Sequence, residues 1–567
     1  MPVEVSIEAL RFADGSNIPV PPDGALVVVG PNSSGKSSLL REIGALLVNP
    51  PAQNQFILND IDLKKDGLAE DAVEWFRQNV SGETFLRNQS ELGFKNSSGE
   101  VSVSGVQAQW PYSQRLAGLA QFFVAHQYAE SRLQLLQESS LHDQLNDLPG
   151  DPIQFLYCYP ELEEKLRGWV KEAFGLEVSL NRYGMSMGLR IGKLSRELPP
   201  PPPPREILQE YASMRSITTE GDGVRAFVGL LLHIMLTPTK ITIIDEPEAF
   251  LHPPQARRLG QLLLQSAPAG SQLVIATHSR DFLQGILEAK DRPVKIVRLE
   301  KRSGAFIPST VEPGRIQQTW ADPLMRYSDL LSGLFHEGAV VCEGDADCRF
   351  YQAVMDTGIR GASGSRDLLF THVGGKARLG KAMRQLRDFH VKSATVADFD
   401  ILNDVKVLKS AVEGAGGDWT HFEADFKSIS SAIDGMGMTI PTVDSIRSTI
   451  SAILSGLSGK APLPNKAAEG IRSSVGFKSP WQQIKLGGIA ALPSPAAVAA
   501  KRLLTNLGDI GIFVVPVGEL ERWIPLEVGK QGWLVEVLED GHYLTPPPAL
   551  VDFLRRISSY FGSALPS

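Results

Sequence analysis

Gly30-Pro31-Asn32-Ser33-Ser34-Gly35-Lys36-Ser37 follows directly on the apolar run Ala25-Leu26-Val27-Val28-Val29 and opens the helix-like segment from Lys36 through Leu47. The octet satisfies G-x-x-x-x-G-K-[ST], and it lies between a strand and a helix, where such a loop works. Glycines let backbone N–H groups turn toward phosphate oxygens, and the helix N-terminus adds its partial positive charge. Lys36 then neutralises β/γ-phosphate charge and Ser37 offers a hydroxyl to Mg²⁺. Gly30, Asn32, Ser34, Gly35, Lys36, Ser37 and Ser38 are the expected nucleotide ligands, and ATP is the expected cofactor.

Downstream, two further buried strands are expected at Ile241 to Ile244 and Leu273 to Ala276, separated by a helix-length segment. The first ends in Asp245-Glu246. Two adjacent acids at a strand end can divide the work, Asp245 holding Mg²⁺ through its water shell and Glu246 acting as base toward the attacking water. The wording Asp245-Glu246-Pro247-Glu248-Ala249-Phe250-Leu251-His252-Pro253 resembles the Walker B motif and following loop of ABC-like ATPases in the SMC, RecF and OLD (overcoming lysogenization defect) group. Ala276-Thr277-His278-Ser279 resembles the switch histidine of that group, which implies that His278 senses the γ-phosphate. Thr219-Glu220-Gly221-Asp222-Gly223-Val224-Arg225 takes the place of the signature motif but departs from its usual Ser-Gly-Gly wording.

Near residue 335 the pattern restarts, with strands at Ala339 to Cys342, Leu368 to Val373 and Ala394 to Ala397 and helices at Asp347 to Met355 and Ala377 to Phe389. Strand and helix alternating at this pace imply a parallel sheet. Glu343 directly follows the first of these strands, and Asp398-Phe399-Asp400 ends the third. In extended backbone, residues i and i+2 point the same way, so Asp398 and Asp400 can share a cation. Adjacent parallel strands would bring Glu343 beside them at the carboxyl edge of the sheet.

This order of strand, Glu-Gly turn, helix, strand, helix, strand and D-x-D resembles Toprim domains, and an ABC-like ATPase followed by Toprim resembles OLD-family nucleases, including the nuclease subunit of Gabija-type antiphage systems. The resemblance implies a DNA endonuclease that cuts phosphodiesters with two ions, Mg²⁺ or Mn²⁺. It assigns Glu343, Asp347, Asp398 and Asp400 to one metal and Glu519 or Glu521 to the second. It also implies a lysine that stabilises transition-state charge, for which Lys530 is the nearest match. The rival reading is an SMC/RecF-like DNA-repair ATPase whose second half is not a nuclease. A topoisomerase would need a tyrosine nucleophile, and no tyrosine-bearing strand-passage domain is recognisable.

The expected fold class is α/β: an ABC-like P-loop ATPase domain over 1–335 with a largely helical, dimerising insertion at about 50–215, then a Toprim parallel-sheet domain over 336–540. The latter carries a helical insertion at about 405–505, and 541–567 form a C-terminal helical tail. The six prolines Pro199 to Pro204 are expected as a stiff extended linker or loop. Gly374-Gly375-Lys376 precedes a helix bearing Arg378, Lys381, Arg384 and Arg387, a face able to follow DNA phosphates.

Composition sets the remaining bounds. The chain has 567 residues, 43% apolar and 21% charged, as in soluble globular proteins. Cys158, Cys342 and Cys348 give neither a disulfide framework nor a four-ligand zinc pattern, which fits a reducing, cytoplasmic setting. The start, Met1-Pro2-Val3-Glu4, lacks a basic stretch followed by an apolar run, and no window reaches the roughly 18 apolar residues of a membrane span. A net charge of −8 argues against a generally basic coat for nucleic acid, yet a metal-using nuclease clusters carboxylates and lets cations meet the phosphates. DNA, a second copy of the chain or a larger homo-oligomer, and a helicase or other defence protein are the expected partners.

Overall fold

Ala25–Val29 has no exposed side chain, and its β-branched residues suit a strand covered on both faces. This strand (β1) joins Val124–Gln127 (β2), Ile241–Asp245 (β3), Gln272–Ala276 (β4), Val294–Arg302 (β5) and Ala305–Val311 (β6) in a sheet of order β6-β5-β1-β4-β3-β2. Neighbours run parallel except for the β5–β6 hairpin. The register sets Val28 beside Ala276 and Ala276 beside Asp245, so the glycine loop and the acids leave the same carboxyl edge. The helix Lys36–Val48 buries Leu39, Leu40, Ile43, Leu46 and Leu47 against this sheet. Each such side chain contributes about 1.5–3 kcal/mol when fully buried.

The computed structural model describes residues 3–562, apart from 52–54, 82, 87–90, 97–98, 113, 144–147, 185, 197–201, 237, 324, 326–327, 359–366, 439–440, 456, 458–461 and 476–478. The first three prolines of the run at 199–204 lie outside the described residues. The chain divides into two compact units, Met1–Gln317 and Gln318–Ser567.

The stretch 50–215, expected to be a largely helical insertion, is mixed: among its described residues seven α-helices, such as Pro160–Phe174, alternate with eight strands and the start of a ninth. Leu58–Asp66 pairs antiparallel with Glu4–Phe12, and Val124–Gln127 returns to the nucleotide sheet as its edge strand. Most of the other strands are short, such as Leu92–Asn96 and Gly99–Ser102, too short for an alternating pattern to stand out in the sequence.

In the second unit Gly338–Cys342 (β7), Leu368–His372 (β8), Ser393–Ala397 (β9) and Ile512–Val514 (β10) form an all-parallel sheet of order β8-β7-β9-β10. Between β9 and β10 the described residues are helical, with α-helices Val405–Ala415, Glu423–Asp434, Val443–Leu454, Asn465–Ser474, Pro480–Gly487 and Ser494–Asp509. In the stretch expected as a C-terminal helical tail, the helix Pro548–Tyr560 places Leu550, Phe553, Leu554 and Ile557 in the same core as Val340, Val396, Phe350 and Trp523.

Candidate nucleotide and metal sites

The first site starts from backbone conformation. Gly30 has φ +148°, and a Cβ there would stand 2.2 Å from the Leu299 carbonyl oxygen, so only glycine lets the loop pass under β5. Ser33 takes a left-handed φ of +61°, which turns the loop back toward the helix. The buried Lys36 Nζ donates to the carbonyls of Gly30 (2.8 Å) and Pro31 (2.7 Å). Burial pushes its pKa down to about 8, against the opposing pull of Glu246, Asp245 and Glu248. Ser34 is buried, while Asn32 and Ser38 are exposed.

Asp245 ends β3, and Glu246 follows with a left-handed φ of +49° and its N–H on the Ala276 carbonyl (2.9 Å). That turn brings Glu246 Oε1 to 3.4 Å from His278 Nε2. Burial, and then Lys36, hold His278 down at about 4, so its imidazole is neutral at pH 7. Burial raises Asp245, whose carboxylate receives the Ser37 hydroxyl while its Oδ1 has no hydrogen-bond partner among the described residues. A buried carboxylate oxygen left over beside a serine hydroxyl fits a Mg²⁺ that accompanies ATP.

Two supports of this site escaped the sequence reading. Glu248 Oε1 accepts from Thr277 Oγ1 (2.9 Å) and the His278 N–H (2.7 Å), which fixes the switch loop to the acidic loop. The fully buried Arg132 sends Nη2 to the carbonyls of Glu246 (2.8 Å) and Asp245 (3.3 Å). Glu248 lies in the quoted acidic motif, where its signal was present; Arg132, over a hundred residues away, left none. In the signature segment, Arg225 binds Asp222 (3.1 Å) and the Leu133 carbonyl (2.8 Å).

The second site forms at the carboxyl edge of β7 and β9. Cys342 pairs with Val396, which sets Glu343 alongside the Asp398 turn, and Glu343 Oε1 accepts the Asp398 N–H at 3.0 Å. Glu343, Asp398 and Asp400 each offer a ligand atom, all within 4.8 Å of one another. Burial, reinforced by Asp400, raises Glu343 to about 7. Burial, with Glu343 and Asp347, raises Asp398 to about 8. Asp398 Oδ1 has no hydrogen-bond partner among the described residues. Converging carboxylates that resist ionising together, with one oxygen unclaimed, suit a divalent cation.

The remaining predicted residues surround this group. Asp347 Oδ2 accepts from the Gly344 N–H (3.1 Å), and burial raises its pKa. Glu519 is buried and faces Lys530 Nζ at 2.5 Å, and Glu521 lies 3.6 Å from the same ammonium. Two lysines reach Asp400, Lys376 at Oδ1 and Lys485 at Oδ2, both at 2.8 Å. Despite its burial, they hold Asp400 below the ordinary carboxylate range. Lys485 carried no recognisable signal, because it lies in the helical stretch eighty-five residues from its partner. The basic strip expected to follow phosphates is largely engaged internally: Arg378 binds the Val373 carbonyl (3.0 Å), Arg387 the Glu413 carbonyl (3.2 Å), and Lys381 the Asp322 carboxylate.

Residues 198–283, which hold β3, β4 and their acids, match the family model described as "AAA domain, putative AbiEii toxin, Type IV TA system". The Old nuclease of Escherichia phage P2 is 23% identical over 217 residues, 35% of this chain; the chain spans 36% of the length of that relative. Among solved structures, the SmcHead bound to the C-winged helix domain of ScpA is 13% identical, with 55% of this chain and 99% of that chain covered at a TM-score of 0.33. The SMC head domain from Thermotoga maritima is 16% identical, with 55% and 100% covered at 0.29. CbiO1 from Clostridium perfringens, part of the ABC transporter complex cbiONQ, is 13% identical, with 56% and 90% covered at 0.25. The glycine loop, the parallel sheet and the family match define the first unit as a nucleotide-binding domain of ATPase type. No helix among the described residues is long and apolar enough to cross a membrane.

Proposed function

We propose that this protein is an ATP-regulated, divalent-metal-dependent DNA endonuclease of the OLD type, an ABC-like ATPase followed by a Toprim-type nuclease, acting in antiphage defence. The observation that carries this reading is the convergence of Glu343, Asp398 and Asp400 from two strand ends onto one half-buried spot. The partial likeness to a phage nuclease supports it. A homodimer or larger assembly, with a helicase or other defence protein as partner, follows from the family resemblance.

Glu343, Asp398 and Asp400 would hold Mg²⁺ or Mn²⁺, with Asp347 beside them. When bound, the cation supplies Lewis-acid polarisation of the phosphodiester and an acidified water. Lys530 places a positive charge next to Glu519 and Glu521, where it can meet charge developing on the phosphate; a second ion served by those two acids would have to share them with it. In the first unit, Lys36 and the loop N–H groups would bind the phosphates of ATP, Ser37 and Asp245 would hold its Mg²⁺, Glu246 would accept a proton from the water that attacks the γ-phosphate, and neutral His278 would hydrogen-bond toward that phosphate. ATP acts as a switch, since phosphodiester hydrolysis is already downhill.

Nicking of supercoiled plasmid with Mg²⁺ or Mn²⁺, with and without ATP, tests the proposal. Asp398→Ala should lower the rate by at least about a hundredfold, and Lys36→Ala should remove the effect of ATP. Equal rates for wild type and Asp398→Ala would defeat the nuclease assignment. One observation favours the SMC/RecF-like repair ATPase instead: lysines contact both Asp400 oxygens, so the protein itself supplies counter-charge. Under that reading DNA stimulates ATP turnover and no nicks appear.

A further inference from the structure

Among the described residues, Lys485 is the cation that touches two members of the acidic group, lying 2.8 Å from Asp400 Oδ2 and 3.7 Å from Asp398 Oδ2. Its seat is built with care. The helix Pro480–Gly487 opens with a reciprocal cap, in which Ser479 Oγ accepts from the Gln482 N–H (3.2 Å) and Gln482 Oε1 from the Ser479 N–H (2.9 Å). Its far end rests on the loop after β10, where the Ile489 N–H donates to the Pro516 carbonyl (2.9 Å). Gly518 in that loop has φ +112°, and a Cβ there would stand 2.2 Å from the Lys485 carbonyl oxygen. The Gly518 carbonyl in turn accepts the Phe399 N–H (2.8 Å), from the residue between the two aspartates. Helix end, glycine loop and acidic turn are thus joined backbone to backbone, and the side chain of Lys485 is aimed at the acids.

Lys376 differs. It comes from the turn after β8 and bonds the Asp400 carbonyl (2.9 Å) as well as its carboxylate, so it anchors the turn. Among the described residues the Lys485 ammonium bonds to the carboxylates alone, and it is a single charge on a flexible stem. A divalent ion shared by Glu343, Asp398 and Asp400 needs an oxygen of Asp400, and lysines lie on both of them, Lys485 on Oδ2.

We propose that Lys485 is a tethered competitor for the divalent ion, so that the helical stretch between β9 and β10 sets how tightly the acidic group loads. This rests on the metal reading of Glu343, Asp398 and Asp400. Removing the ammonium deepens the negative potential of the site and frees Asp400 Oδ2, so affinity for the ion rises; a lysine that merely braced the acids would lower affinity when lost.

The test is Mn²⁺ binding to the full chain without DNA, read from the electron paramagnetic resonance signal of free Mn²⁺. Lys485→Met should bind roughly tenfold tighter than wild type, on the Coulomb effect of one charge at contact distance in a partly screened site, and Lys485→Arg should stay near wild type. Equal or weaker binding by a Lys485→Met protein that melts like wild type overturns the proposal. Should Lys485→Met fail to fold, Lys485→Gln makes the same comparison. If wild type binds Mn²⁺ and Asp398→Asn does not, while Lys485→Met is unchanged, the competitor role alone fails. If wild type binds none, the metal reading fails and takes this inference with it.

Discussion

The acids of the two units stand at the carboxyl edges of two parallel sheets, yet their counter-charges are arranged differently. Beside Asp245 and Glu246, Lys36 is turned onto carbonyls of its own loop, and an oxygen of Asp245 is left without a partner. Around Glu343, Asp398 and Asp400, lysines from two other segments already lie on the carboxylates. A lysine seated on the carbonyls of its own loop can be kept back for the ligand. A site gathered from separate strands carries like charges that must be held together before any ion arrives, and the cations that do this come from wherever the chain passes.

Arg132 is the place where this contrast can break. It lies buried behind the nucleotide acids, reaches the carbonyls of Asp245 and Glu246, and is attracted by Glu248, Asp245 and Glu246. If the first site also depends on a cation from a distant segment, Arg132→Met strips the Asp245 and Glu246 carbonyls of their donor and leaves Lys36 to attract Glu248. The first unit should then lose about 3–5 kcal/mol of stability, the usual cost of breaking a buried charge partnership. Thermal or urea unfolding measures this, and a midpoint equal to wild type would show that the loop and strand suffice by themselves.

The next effect concerns protons at the second site. Burial and mutual repulsion place Glu343 at about 7 and Asp398 at about 8, so near neutral pH protons compete with the cation for the same oxygens. A group with a raised pKa must release its proton before it can bind metal. Apparent Mn²⁺ affinity should therefore fall as pH drops from about 8.5 to about 6, by up to about tenfold per pH unit for each proton displaced. Proton release measured on Mn²⁺ addition gives the number directly. Affinity independent of pH over this range would mean that the acids are already ionised and balanced by Lys376 and Lys485.

What was legible in the chain follows the same division. The glycine loop, Asp245 and Glu246, and the turn bearing Asp398 and Asp400 sit at the ends of apolar runs, so local pattern was enough to place them on strand edges. The pairing of Glu343 with Asp398 also followed, because adjacent parallel strands in register leave few other outcomes. Short strands such as Leu92–Asn96 were not legible, since pairing rather than periodicity makes them strands. Arg132 and Lys485 were not legible either. Nothing in the residues around a lone basic side chain tells which distant carbonyl or carboxylate it will meet.

At the nucleotide site the proton dependence should be smaller and of opposite sign. Lys36 is held down to about 8 by burial, so it is mostly charged at pH 7 and loses its charge as pH rises through 8. Phosphate binding requires the ammonium. ATP affinity should thus be flat from about pH 6 to about 7.5 and weaken above about 8, approaching tenfold per pH unit. His278, at about 4, stays neutral throughout and contributes no slope. Binding of a fluorescent ATP analogue across this range, with Lys36→Ala as the reference that should lack the alkaline decline, gives the measurement. Opposite slopes at the two sites would follow from one loop that must keep a proton and one acidic group that must lose protons. An alkaline decline surviving in Lys36→Ala would assign it to another group and leave the nucleotide site without the charge economy argued for it.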